Sequence, residues 1–426
     1  MNLKTRPSGQ THWWAWRSPI GVLSPGLNCA AFILMALYLL ILPIPHTIAI
    51  RHIAFFSLFL LTLWAAWRHH LKFYFPLVWP WAIYAALALS SVIYALDPFY
   101  SLGEVRKEIG HGFIALMLAG TWVRSAKNLE RMLAVLILGS TVMAAYSIIN
   151  VILQRSYLMQ TPIQEGSFSG VGVFSTYLIT VLPFIIVYII LMPKEDKLRR
   201  GMLYLAVVME VAALYLTGNR AGMLALNSEA VLALVLLSLH NGLPNVRKTF
   251  LAVVILILLS GLFLSLIYQR SVVLTPDVGA DQELVSNDPR WPIWQRAMQN
   301  IYHHPLVGAG FGREAFKLRN PDLLNDNDVY WHAHNMFLNK GVQMGIPGMV
   351  AFVVLLMAII RAVWIPKGKV AESGPAGMYA MACIVMLGGV IVKNMTDDFF
   401  VQDSALLFWV LVGATLGALS GERKIN

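Results

Sequence analysis

The stretch VGVFSTYLITVLPFIIVYIIL, residues 171–191, decides the fold class, because it is long enough to cross a lipid bilayer and contains no Asp, Glu, Lys or Arg. Similar stretches recur along all 426 residues, and the chain is 58% hydrophobic and 13% charged, with a mean hydropathy of +0.65. A soluble globule needs more polar surface than this composition supplies. The sequence therefore predicts an all-α polytopic membrane protein.

Apolar runs close to the ~20 residues that a spanning helix needs predict about twelve transmembrane helices. One of these runs, from Gly110 to Val123, is short. The predicted spans are Leu27–Pro43, Thr47–Trp67, Pro76–Leu96, Gly110–Val123, Met132–Ile152, Val171–Leu191, Gly201–Leu216, Ala221–Leu239, Phe250–Ile267, Met344–Ile365, Ala376–Val392 and Ser404–Leu419.

The basic residues orient these spans, since Lys and Arg concentrate in the cytoplasmic loops of membrane proteins. They fall on alternate predicted loops, so we expect both termini in the cytoplasm and most acidic loops on the outer face. The net charge of +10 then reflects topology, and its spread over short loops argues against nucleic-acid binding. The basic set is Lys4, Arg6, Arg17, Arg68, Lys72, Arg124, Lys127, Arg131, Lys194, Lys197, Arg199, Arg200, Arg247, Lys248, Arg361, Lys367, Lys369, Arg423 and Lys424.

The chain reads as a single integral membrane domain over residues 1–426, with one long connection at 268–343 between the ninth and tenth spans. The topology places this loop outside, and long loops usually carry function. An amphipathic helix is predicted within it, with Asp288 as the N-cap and Pro289 at the first position. Its apolar stripe fits a helix lying flat on the bilayer equally well as one packed on the loop. The stripe comprises Trp291, Trp294, Met298, Ile301 and Tyr302.

The glycine-rich stretch HHPLVGAGFG, residues 303–312, turns the chain sharply. It is not a dinucleotide fingerprint, because no βαβ unit surrounds it, and no P-loop sequence occurs. We therefore expect no nucleotide partner and no ATP-driven pumping by this chain.

Two arginines are candidates for binding an anion on the outer side. Arg220, in LTGNRAG, lies between the seventh and eighth spans, and Arg290 lies at the start of the amphipathic helix. A guanidinium offers a planar fork of donors that suits phosphate oxygens, and a helix start adds unpaired amides. A snorkelling or salt-bridged arginine is the simpler interpretation of either residue taken singly.

His334 is the candidate general base, because histidine changes charge near neutral pH and this one begins the apolar stretch after a polar loop. Asn335 is positioned to orient it or to cap a helix, and His332 is a neighbouring competitor. His332 and His334 also join Asp322, Asp326 and Asp328 as oxygen and nitrogen donors for a divalent cation. Their spacing fits no defined metal site, so we predict a metal-independent protein without excluding a cation.

Four acids are candidates for supporting roles. Glu210 and Glu229 lie in the predicted spans that flank Arg220. An ionisable side chain inside a span either has a functional role or pairs with another group of the protein for structural reasons. Asp397 and Asp398 return polar side chains to the outer face near the last span and could orient His334 or a substrate.

Three motifs stand in a fixed order: LTGNRAG around Arg220, DPRWPIWQRAMQNIYHHPLVGAGFG over residues 288–312, and HNMFLNKGVQMGIPG from His334. In this order the chain resembles the O-antigen ligase family, whose membrane domain is shared with O-antigen polymerases and protein O-oligosaccharyltransferases. The motifs span Arg220 to Gly348. The chain departs from the family pattern at Asn339 and Lys340, where many relatives carry an acid, and at Asn219, where Ser is more usual.

The resemblance implies a C-type glycosyltransferase-like fold in the bacterial inner membrane. It implies transfer of O-antigen from undecaprenyl diphosphate to the lipid A core oligosaccharide on the periplasmic face, in lipopolysaccharide biosynthesis. Arg220 and Arg290 would then stabilise the diphosphate leaving group, and His334 would take the proton of the acceptor hydroxyl, with inversion at the anomeric carbon. An O-antigen polymerase or a protein O-oligosaccharyltransferase is the nearest alternative. A polytopic transporter is a more distant one, and no internal repeat supports it.

Overall fold

The computed structural model describes residues 24–44, 46–153, 170–241, 290–325, 331–366, 373–396, 398 and 400–422, and a few residues between 250 and 262. These residues form helices joined by short turns, and no strand occurs among them. The all-α prediction is therefore confirmed for the described part of the chain.

Fourteen α-helices are described, together with a π-helical turn at Val105–Gly110 and a 3-10 turn at Pro321–Asn325. They are α1 (Pro25–Ile41), α2 (Ile48–His69), α3 (Val78–Ser91), α4 (Pro98–Glu104), α5 (His111–Trp122), α6 (Ala126–Leu153), α7 (Val171–Leu191), α8 (Lys197–Leu216), α9 (Arg220–Asn241), α10 (Arg290–His303), α11 (Ala315–Arg319), α12 (Met336–Val363), α13 (Gly374–Met395) and α14 (Gln402–Glu422).

Seven of the described helices are long and apolar enough to cross a membrane, namely α2, α6, α7, α9, α12, α13 and α14. Helices α1 and α3 are apolar but shorter, and the first turn of α8 carries Lys197, Arg199 and Arg200. The predicted ninth span, Phe250–Ile267, lies largely outside the described residues. The chain is a multi-pass membrane protein, and the count of twelve spans stays a prediction.

The helix that contains the predicted fourth span begins before Gly110. Helix α4, the π-helical turn and α5 follow one another without a break, because the residues at both junctions keep right-handed helical angles. Together they extend from Pro98 to Trp122, about 37 Å at 1.5 Å per residue. The helix therefore continues through a charged stretch, in which Glu104 pairs with Lys107 and Glu108 pairs with Lys340, and the span bounds Gly110–Val123 stay a prediction.

The predicted tenth span also differs, since α12 begins at Met336 and not at Met344. The helix consists of two halves that meet at Gly345, whose φ of 69° and ψ of −171° are not helical. The predicted start at Met344 coincides with this kink. The first half, residues 336–344, carries polar side chains that hydropathy does not assign to a span, and these side chains are buried by the surrounding helices.

Two apolar cores hold the molecule together. The larger one joins the long helices, and α5 approaches α14 so closely that a Cβ at Gly413 would lie 2.3 Å from the Leu116 carbonyl oxygen. The smaller one joins α10 to the start of α12 through Ile293, Ala297 and Val342, with Phe316 and Ala333. The small core fixes the segment that precedes α12 against the bundle.

Candidate active site

Helix α12 begins beside His334, and this start is tightly fixed. Asn335 is its N-cap: the side-chain oxygen accepts from the amides of Phe337 and Leu338, both at 3.0 Å. The amide nitrogen of the same side chain donates to the carbonyl of Met395 at 2.8 Å, where α13 ends. The prediction that Asn335 caps or orients is thus matched by geometry, and one side chain joins the start of α12 to the end of α13.

His334 itself has a φ of 46°, in the left-handed region that non-glycine residues rarely adopt. Such a conformation costs on the order of 1–3 kcal/mol and persists only where the surroundings enforce it. The His334 side chain is half-buried, so its ring remains partly accessible. Strained residues of this kind concentrate at functional sites.

His332 supports His334 from behind. It is 1% exposed, and its ring centroid lies 3.8 Å from that of His334. Its Nδ1 faces the backbone nitrogen of His334 at 3.2 Å, and its Nε2 is in hydrogen-bond contact with Nη2 of Arg313. The structure therefore brings the two predicted histidines together.

The glycine-rich motif serves as a scaffold for this site. The amides of Ala309 and Gly310 donate to the carbonyls of Val342 and Gln343, at 2.8 and 3.1 Å, just before the kink in α12. A Cβ at Gly308 would lie 2.2 Å from the backbone of Gln343. Glycine is required here because two backbones touch, which explains the motif without any nucleotide.

The same segment is held on its other side by the beginning of α4. The hydroxyl of Tyr100 accepts from the amide of Glu314 at 2.9 Å. Burial, the largest cause, raises the pKa of Tyr100 well above its usual value, so the phenol stays neutral in this contact. The turn that carries Arg313 is thereby fixed to a bundle helix.

A buried polar cluster lies one turn into α12. Nζ of Lys340 donates to Glu108 at 2.8 Å and to Gln343 at 3.2 Å, and it lies 4.5 Å from the ring centroid of Phe311. Asn339 donates to Asp398, whose side chain is buried. Asp398, a predicted supporting residue, thus holds α12 in place from the α13–α14 connection.

Arg220 lies at the same end of the bundle as His334. Helices α9 and α13 run antiparallel, because Glu229 packs on Gly389 while Leu232 packs on Gly388. Nine residues before Glu229 on α9, and nine residues after Gly389 on the other side, the same register places Arg220 level with residue 398. This level is close to the Met395 carbonyl, which accepts from Asn335. Arg220 is exposed at the start of α9, and no ion pair joins it to another residue of the described ranges.

Arg290 begins α10, which packs across the first half of α12. Its side chain is half-buried and lies one turn before Ile293, the residue that anchors α10 in the small core. The predicted cap residues Asp288 and Pro289 lie outside the described residues. The structure places Arg290 on the element that covers the His334 segment.

The predicted apolar stripe of α10 divides between two environments. Ile301 packs toward the small core and Trp294 is half-buried, whereas Trp291, Met298 and Tyr302 are exposed, Tyr302 by 82%. Packing on the loop therefore accounts for part of the stripe. Contact of the exposed line with the bilayer surface stays a prediction.

An apolar crevice of about 230 Å³ lies between α7, α8, α9 and α13. It extends along α9 from Leu226 to Leu237, about 9 to 26 Å from Arg220 at 1.5 Å per residue. Glu229 is the acid that borders it, on the interface with α13. The crevice has room for a hydrocarbon chain in line with Arg220.

The remaining predicted residues lie elsewhere or outside the described part. Glu210 is buried between α6 and α8, where it accepts from the hydroxyl of Ser140, about 9 Å along the axis before α8 ends. Asp397, Asp326 and Asp328 lie outside the described residues. Asp322 pairs with Arg296, and the described ranges contain no cluster of three or more side chains able to hold a metal ion.

Sequence reasoning missed Arg313 and the pair of Lys340 with Glu108. A lysine just before the apolar half of α12 is itself a signal, because a buried ammonium requires a partner. Its partner lies 232 positions away and has no signal in the sequence. Arg313 directly follows the glycine-rich turn, and its contact with His332 depends on the folded loop.

Comparison with known families gives one finding. A model of the O-antigen ligase family matches residues 205–353, a range that contains Arg220, Arg290, His332, His334 and Asn335. A search of curated proteins finds no match. Members of the matched family are membrane enzymes that transfer glycans. Residues 205–353 of the chain are therefore similar to the O-antigen ligase family domain.

Proposed function

We propose that the protein is an inverting glycosyltransferase that moves O-antigen polysaccharide from undecaprenyl diphosphate to the lipid A core oligosaccharide. The reaction would take place on the periplasmic face of the inner membrane. Support comes from the match to the O-antigen ligase family model, whose range contains Arg220, Arg290 and His334. The observation that carries the proposal is the position of Arg220. Its side chain is exposed, forms no ion pair within the described residues, and lies at the same end of the bundle as His334.

The leaving group in this reaction is a lipid diphosphate that gains negative charge as the glycosidic bond breaks. Arginine suits this charge, since its guanidinium stays protonated and contacts two phosphate oxygens at once. Arg220 would bind the diphosphate and Arg290 would approach it from α10. Their contribution is electrostatic and is largest in the transition state.

The acceptor hydroxyl must lose a proton as it attacks the anomeric carbon. His334 would accept this proton, since its ring is partly accessible and its position is fixed by Asn335 and His332. Direct displacement by the acceptor inverts the anomeric centre. The donor is already activated by its diphosphate, so the reaction requires no nucleotide.

The polyprenyl chain of the donor would occupy the crevice between α7, α8, α9 and α13. If the diphosphate of the carrier lies at Arg220, its hydrocarbon chain would enter this apolar space. The crevice begins about 9 Å from Arg220 along the axis of α9. Apolar side chains along the crevice suit a hydrocarbon chain, and the long carrier can extend beyond it into the bilayer.

Complementation of a ligase-null strain tests the proposal. Arg220→Ala, Arg290→Ala and His334→Ala are expressed at matched levels, with His304→Ala as a control because His304 is an exposed histidine of the same loop. We expect lipopolysaccharide without O-antigen from the three site variants and capped lipopolysaccharide from the control. Normal capping by all three site variants would contradict the proposal.

The product separates the alternative activities. Longer carrier-linked glycan without attachment to lipid A would indicate a polymerase, and glycan on Ser or Thr of a periplasmic protein would indicate an oligosaccharyltransferase. Substrate flux into vesicles without covalent transfer would indicate a transporter. Each of these outcomes replaces the ligase assignment.

A further inference from the structure

Arg313 forms a compact assembly with three aromatic rings next to the proposed base. Its guanidinium lies 4.5 Å from the ring centroid of Trp331 and bonds to Nε2 of His332. The Trp331 and His332 centroids are 4.7 Å apart, and His332 in turn contacts the ring of His334. The guanidinium is therefore connected to His334 through a single buried side chain.

Within the described part of the chain, Arg313 and the backbone of His334 each contact one ring nitrogen of His332. Arg313 and the backbone nitrogen of His334 both donate, and an imidazolium would oppose each of them with an N–H of its own. His332 is consequently a neutral acceptor. A neutral ring accepts at one nitrogen, and the charged guanidinium is the stronger donor, so Nε2 accepts from Arg313 while the ring supports His334 by packing.

This contact bears directly on the strained backbone of His334. The left-handed φ of 46° needs enforcement, and the described contacts that supply it are the Asn335 cap on one side and the His332 ring on the other. His332 has no freedom to move while Arg313 and Trp331 enclose it. Loss of the arginine releases the ring that supports residue 334.

We propose that Arg313 is a positioning residue: it fixes the neutral ring of His332 and thereby aims the side chain of His334 at the acceptor hydroxyl. This inference rests on the proposed function for the identity of the base. It assigns Arg313 a role distinct from that of Arg220 and Arg290, which would contact the diphosphate itself.

Kinetics of the purified full-length enzyme test this role. Arg313→Met retains a side chain that packs on Trp331 but lacks the donors, and we expect kcat to fall about 10- to 100-fold with the KM for the carrier changed less than about twofold. Arg296→Met is the matched control, since Arg296 pairs with Asp322 on the surface of the same loop. A rise in carrier KM with unchanged kcat would overturn the proposal, because it would indicate direct contact with the diphosphate.

A double-mutant cycle tests whether the effect passes through His332. In the His332→Phe background, which retains a ring without an acceptor, Arg313→Met should lower kcat no further. Full additivity of the two losses would contradict the proposed route. If Arg313→Met fails to fold, Arg313→Lys replaces it in the same cycle, with a smaller loss of kcat expected because a charge and a donor remain.

Histidine carbethoxylation by diethyl pyrocarbonate, mapped on peptides, gives a readout independent of activity. His332 is 1% exposed and should stay unlabelled in the wild type and in Arg296→Met, but become labelled in Arg313→Met. Continued protection of His332 in Arg313→Met would overturn the inference. If the wild type transfers no glycan, the proposed function fails, and the labelling still decides the role of Arg313.

Discussion

His334 combines three properties that rarely coincide in one residue: a left-handed backbone, a partly accessible imidazole and a fixed position between two helix ends. Its neighbours account for this combination. Asn335 supplies the cap and the link to α13, and His332 supplies the buried ring behind the backbone. The sequence indicated the residues of this site, but the strain at position 334 is visible only in the folded chain.

Replacing His334 tests its role at the residue scale. We expect His334→Ala to lower kcat about 100- to 10,000-fold, the usual contribution of a general base, while the KM for the carrier changes little. Transfer kinetics measure both values, with His304→Ala as the control. Activity within about threefold of the wild type would remove His334 from the proton transfer.

Arg220 tests the electrostatic part of the mechanism. Arg220→Lys keeps the charge and loses the planar fork, so we expect a smaller loss of kcat than in Arg220→Met, which removes both. Arg199→Lys is a control, because Arg199 is exposed at the start of α8, the opposite end of that helix from the Arg220 turn. Equal activity of Arg220→Met and the wild type would show that the diphosphate binds elsewhere.

At the scale of elements, the kinked helix α12 depends on the glycine-rich segment that packs on it. The carbonyls of Val342 and Gln343 accept from this segment, and Ile346 donates to Pro305 on the other side of the kink. Backbone-to-backbone contact of this kind leaves no space for a side chain. The motif is therefore structural, although its position next to His334 makes it necessary for the site.

Gly308 gives the sharpest test of this contact. A Cβ there would lie 2.2 Å from backbone atoms of Gln343, so we expect Gly308→Ala to destabilise the fold by about 1–3 kcal/mol. Thermal unfolding in detergent measures the effect. Gly103→Ala in α4 is the control, because no heavy atom lies within 4 Å of its Cβ position and alanine favours helix. Equal melting temperatures for both variants would refute the packing argument.

The buried pair of Lys340 and Glu108 joins the first half of α12 to the π-helical turn before α5. Lys340→Met leaves the Glu108 carboxylate without its cation, and we expect a loss of about 3–5 kcal/mol, as for other buried pairs that lose one member. Lys340→Met with Glu108→Gln removes both charges and should recover part of this loss. Melting temperatures of the single and double variants measure this recovery. A double variant that is less stable than Lys340→Met would contradict the coupling of the two residues.

At the scale of the whole molecule, hydropathy predicts the helical membrane fold and locates most helices within a few residues. It fails where polar side chains enter the bundle, at the early start of the helix that leads into α5 and at the first half of α12. These two stretches contact each other, since Glu108 pairs with Lys340 across 232 positions of sequence. Pairings at such a distance depend on tertiary structure, so local hydropathy does not assign these charged stretches to helices inside the bundle.

The site residues divide in the same way, into those that the order of the motifs indicated and those that only a tertiary contact reveals. The motif order indicated Arg220, Arg290 and His334, and the helix register brings Arg220 and His334 to one end of the bundle. Arg313 escaped notice because its significance lies in touching a buried histidine, a contact that the loop forms only when folded.

Transfer by the purified protein tests the central claim most directly. Carrier-linked glycan and rough lipopolysaccharide are incubated with the wild type and with His334→Ala, each with and without a chelator. We predict glycan-capped lipopolysaccharide from the wild type in both conditions, and carrier binding without product from His334→Ala. No product from the wild type, or equal product from His334→Ala, would contradict the account.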